Sequence, residues 1–107
     1  MKVIYKYQLP KEISEIFKIE LPKHAEILSV QSQNNEFVMW AKVDPLQEKE
    51  EIQLIWIMTG TEIPDATSAC LDHIETIQLM DENFVIHLFQ IKSPYHKIFG
   101  GFPFGGI

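Results

Sequence analysis

The stretch from Ile27 to Val43, ILSVQSQNNEFVMWAKV, constrains the fold most. Two alternating runs flank the pair Asn34-Asn35, which suits a turn that needs positive φ at both central positions. A two-residue loop at that pair sets the register by counting outward. Leu28, Val30 and Ser32 then oppose Ala41, Met39 and Phe37 on one face, while Ile27, Ser29 and Gln31 oppose Lys42, Trp40 and Val38 on the other. The first face has the character of a core; the second is mixed.

The same period of two recurs along the chain. Val3, Tyr5 and Tyr7 alternate with Lys2, Ile4, Lys6 and Gln8 until Pro10 ends the run. From Lys11 to Leu21 helical and strand signals compete, and the pattern predicts a short turn followed by a strand that Pro22-Lys23-His24-Ala25 breaks. Asp44-Pro45 closes the central hairpin, and Glu48 to Glu51 reads as a charged, solvated loop. Ile52 to Met58, IQLIWIM, is apolar at nearly every position, the mark of a central strand covered on both faces. Thr59 to Asp72 reads as a long loop with one helical turn at Asp65 to Ala69. A second hairpin pairs His73–Leu79 with Phe84–Ile91. A loop of two or four residues puts Phe84, Ile86 and Leu88 on one face with Ile77 and Leu79, and His87 on the other with Gln78, Val85 and Phe89; a three-residue loop reverses this.

These segments predict an all-β fold: a single-domain antiparallel sandwich or partly open barrel of six or seven strands with little helix, over residues 1–92. Residues 93–107, SPYHKIFGGFPFGGI, form a Gly/aromatic C-terminal tail of different composition. At 107 residues the chain is long enough for one core. Its lone cysteine, Cys70, forms no internal disulfide and fits a reducing cytoplasm. No apolar run reaches the length of a membrane span or a signal-peptide core, so a soluble, unprocessed chain is expected.

Fifteen acidic against nine basic residues leave a net charge of −6, which repels phosphate backbones. All nine cations are lysines, so the bidentate arginine fork that reads guanine or clamps phosphate is missing, and direct nucleic-acid binding is not expected.

A search for chemistry finds little. His24, His73, His87 and His96 show no metal-ligand spacing, and HExxH, CxxC, GxSxG, phosphate-loop and dinucleotide motifs do not occur. Cys70 and His73 lie three residues apart in a loop, a spacing that does not make a nucleophile and base. The expectation is therefore a protein that is not an enzyme and carries no cofactor or metal. The candidate binding residues are aromatic: Trp40 beside Lys42 on the mixed face of the hairpin, and Tyr95, Phe99, Phe102 and Phe104 in the tail.

MKVIYKYQLP, IELPKHAEILSVQSQNN, VMWAKVDP and VIHLFQ, taken in order over Met1 to about Gln90, resemble a family of short phage and prophage proteins of unknown function. The match departs at Met58-Thr59-Gly60-Thr61 and beyond Ile91. The resemblance carries no active site and implies a phage protein at work in the host cytoplasm. By analogy with small phage proteins, it also implies a binding protein that sequesters or inhibits a host factor, with antiviral defence as one target. A host protein with a basic surface suits the charge of −6. The alternatives are a virion or assembly component and a sponge for a small nucleotide signal, which would stack a base on Trp40 or the tail aromatics. Two hairpins that read as apolar on both faces add the expectation of a homo-oligomer, most simply a dimer.

Overall fold

The computed structural model describes residues 1–79 and 84–92. Among them the strands are β1 (Val3–Leu9), β2 (Ile16–Pro22), β3 (Glu26–Gln33), β4 (Glu36–Val43), β5 (Lys49–Met58), β6 (Leu71–Gln78) and β7 (Val85–Ile91), with one helical turn, α1 (Asp65–Ser68), before β6. They make two antiparallel sheets, a three-stranded one ordered β1-β4-β3 and a four-stranded one ordered β2-β5-β7-β6. Ser14 at φ 68° and His24 at φ 67° turn the chain on either side of β2, which leaves the first sheet for the second and returns.

The sheets pack face to face as an unclosed sandwich. Leu9, Val30, Phe37 and Met39 of the first interleave with Leu21, Leu54, Trp56, Ile86 and Leu88 of the second. Trp56 is the anchor: its ring lies 4.9 Å from that of Phe37, and its Nε1–H donates to the Pro10 carbonyl at 3.0 Å. The indole is thus fully buried without an unpaired donor.

The four-stranded sheet is covered on its second face too. β5 and β6 are both antiparallel to β7 and therefore parallel to each other, so the chain must cross back over the sheet between them. Residues 59–70 make that crossing. They lay Ile63 and Cys70 over Ile55, Ile57 and Ile91, with Leu71, Ile16 and Phe89 alongside. The long loop of the sequence is a lid of the second core, and its helical turn is α1.

The central hairpin turns at Asn34 and Asn35, with φ of 51° and 65°, as the pair predicts. Val30 opposes Met39, Ser32 opposes Phe37, and Ser29 opposes Trp40 as counted from the turn. Beyond Ser29 the register shifts: Ile27, not Leu28, opposes Ala41, and Glu26, not Ile27, opposes Lys42. A β-bulge at Leu28 takes up one residue, which leaves Leu28 exposed and lets Ile27 pack against the core. Lys49, Glu50 and Glu51 likewise depart from the expected loop. They belong to β5 because β2 is long enough to pair with them, Glu20 opposing Glu51 and Pro22 opposing Lys49. In the second hairpin Ile77 opposes Ile86 and Leu79 N–H donates to the Phe84 carbonyl at 2.9 Å, the parity of a four-residue loop. Residues 80–83 of that loop lie outside the described residues.

Candidate functional site

Trp40 stands on the outer face of the three-stranded sheet, between Lys6 on β1 and Ser29 on β3, and is half-buried. Lys42, two residues on, shares that face but ion-pairs across the strands with Glu26 at 3.3 Å. Lys6 Nζ donates to Gln33 Oε1 at 3.3 Å, and Gln8 donates to Glu36 at 2.8 Å. Both lysines beside Trp40 thus have nearby polar partners, and the face is a mosaic of long polar side chains around one indole. Among them Val38 is only 4% exposed, between Gln8 and Gln31. The other candidates, Tyr95, Phe99, Phe102 and Phe104, lie outside the described residues.

A second feature is concave. β3 and β6 are terminal strands of their sheets and pass each other at one edge of the sandwich. Between them runs a groove of about 400 Å³, with Ser29 to Ser32 on one wall and Glu75 to Gln78 on the other. The volume is within the range of roughly 300–1,000 Å³ usual for ligand sites, but the lining is polar where small-molecule sites are mostly apolar. Glu75 is the one charged residue in that lining. Gln31 Nε2–H donates to Ser29 Oγ at 3.1 Å, which ties down part of the β3 wall.

Thr76 connects the groove to a hydrogen-bonded chain on the outer face of the four-stranded sheet. The Thr59 hydroxyl donates to the Val85 carbonyl at 3.3 Å, so its oxygen receives Nε2–H of His87 at 2.8 Å. For neutral rings His87 Nδ1 is then an acceptor, filled by the Thr76 hydroxyl at 2.8 Å, and Thr76 Oγ1 accepts Nε2–H of His73 at 2.8 Å. His73 also sets its ring edge-on to Phe89 at 5.4 Å. The chain stitches β6, β7 and the end of β5 together and fixes the β6 wall beside the groove. Sequence reasoning missed it because His73, Thr76 and His87 share no motif; only the pairing of Thr76 with His87 brings them together.

His73 and His87 both bond threonine hydroxyls, and the Cys70 thiol points to the Ala66 carbonyl at 3.7 Å, not to His73. Among the described residues no group of three or more histidine, cysteine or acidic side chains could hold a metal ion, and no helix is long and apolar enough to cross a membrane.

A match to the family described as a domain of unknown function, DUF7352, covers residues 1–97, which include both sheets, the groove and the Trp40 face. The chain belongs to the DUF7352 family. The match runs past the described strands into the first residues of the tail, so the family extends through the whole sandwich. No curated protein and no solved structure matches the chain.

Proposed function

We propose that this DUF7352 chain is a non-enzymatic binding protein that sequesters a partner protein by taking one of its extended, basic segments into the groove between β3 and β6. The observation that carries this reading is the make-up of the groove. Two sheet-terminal strands form its walls, so β3, beyond its bulge at Leu28, offers the main-chain groups of Ser29 to Ser32 to a short added strand. Glu75 and the net charge of −6 favour a cationic segment. No lysine lines the groove, which favours a peptide over a phosphate-bearing nucleotide. The finer reading is that of a phage protein whose partner is a host factor, antiviral defence included, and which blocks that factor's own contacts with nucleic acid.

The test is capture from host lysate with a photo-crosslinker at Ser32. The expected result is one host protein, crosslinked through a lysine- or arginine-containing segment, retained by Lys6→Glu and lost with Glu75→Lys. Equal capture by Glu75→Lys, or crosslinks to no host protein at all, contradicts the proposal. Recovery of the chain in purified particles in place of a host partner moves the assembly reading ahead of it.

A further inference from the structure

The sandwich has four terminal strands, and three of them carry devices that shorten the run another chain can pair with. β2 holds Glu20 and ends on Pro22, and β3 and β6 are each interrupted by a bulge, at Leu28 and at Ile74. β1 has no bulge and no proline within it, and its one charged residue is Lys6. Its seven residues pair with β4 in unbroken register from Val3–Val43 to Leu9–Phe37, and among the described residues its other edge has no strand or backbone partner. That bare edge also exposes apolar surface, with Ile4 at 60% and Tyr5 at 44%. A straight strand of this kind, free of bulges, is a template for strand addition in a register that keeps Lys6 from another lysine.

We propose that two copies of this chain pair through β1, antiparallel about a two-fold axis at Tyr5, and so join their three-stranded sheets into one continuous sheet. A two-fold axis perpendicular to the sheet keeps both core faces on the same side, so core-facing odd residues must meet odd residues and outward-facing even ones must meet even. An axis at Ile4 sets Lys2 against Lys6 of the other copy, and an axis at Lys6 sets that lysine against itself; like charges directly opposite are destabilising. An axis at Tyr7 pairs Tyr5 with Leu9 and leaves Ile4 uncovered. The axis at Tyr5 avoids all three faults. Tyr5 meets its own copy, Val3 meets Tyr7, Ile4 lies along the aliphatic stem of Lys6, and Lys2 comes to Gln8, which already bonds Glu36. The dimer covers the two apolar residues that β1 exposes and sets no lysine opposite another. This inference is independent of the β3–β6 groove, which lies at the other edge of the sandwich.

Sedimentation equilibrium of the full chain, together with disulfide trapping in a Cys70→Ser background, tests it. The wild type is expected at twice the chain mass. Ile4→Lys sets two new lysine pairs across the edge and is expected to weaken association roughly tenfold or more, with an unchanged circular dichroism spectrum because Ile4 is exposed. Tyr5→Cys is expected to crosslink on mild oxidation, whereas Lys6→Cys, offset from its copy by two residues, stays uncrosslinked. A wild-type chain that stays monomeric at the highest soluble concentration overturns the proposal. So does crosslinking of Lys6→Cys as readily as Tyr5→Cys, or an Ile4→Lys variant that associates like the wild type.

Discussion

The two sheets are woven from similar alternating strands, yet their surroundings differ. The four-stranded sheet is buried on both faces, by the sandwich core on one side and by residues 59–70 on the other. The three-stranded sheet is covered by another layer on one face only, and its outer side shows Trp40 among lysines and glutamines, with Val38 buried beneath them. The cause is topological. A parallel step from β5 to β6 forces a crossing, and the crossing covers the sheet; the tight hairpin from β3 to β4 covers nothing. The four-stranded sheet thus has a layer over each face, and the surface left for recognition lies on the outer face of the other sheet and along the sandwich edges.

Substitutions in the two sheets should register this difference. Trp56→Ala should cost most, about 3–5 kcal/mol, because it empties the middle of the shared core and leaves the Pro10 carbonyl without its donor. Urea titration should find it largely unfolded at room temperature. Next, Ile55→Ala, under the crossing loop, should cost about 2–5 kcal/mol, while Ile4→Ala on the open side should stay within about 0.5 kcal/mol. Equal costs would mean that the loop does not cover the second face.

Much of this division was legible in the sequence. IQLIWIM announces a strand with two buried faces, and the Asn34-Asn35 pair sets the hairpin register as far as Ser29. What was not legible depends on distant pairing. The bulge at Leu28 arises because Ile27 and not Leu28 packs into the core, a choice that local alternation does not encode. Lys49 to Glu51 look like a loop until β2 is there to pair with them. Neither wall of the groove carries a recognisable motif, and the walls meet only because β3 and β6 end their sheets on the same side. Trp40 and Lys42 were correctly placed on one face, but the ion pair of Lys42 with Glu26 follows from the shifted register.

Smaller effects sharpen the comparison further. Thr76→Val removes the hydroxyl between His73 and His87. It should cost only about 0.5 kcal/mol, since the cluster is open to solvent, but it should release the histidine tautomers that nitrogen NMR reads. On the other sheet, burial pushes the Tyr7 phenol up, with Tyr5 adding to it. A raised phenol favours the neutral form in the folded chain, so its share of stability is complete below about pH 10 and is lost as pH climbs through the raised value. Tyr7→Phe should accordingly flatten the alkaline end of the stability curve and leave it unchanged at neutral pH, as thermal melts across that range would show.

The most direct test of the binding account is amide hydrogen exchange of the chain, free and with its captured partner. Added protection is predicted at Ser29 to Ser32 and Glu75 to Ile77, the two walls of the groove, with the β2 and β5 amides unchanged. Protection that appears on β2 and β5 and leaves the groove walls exchanging as before would contradict it.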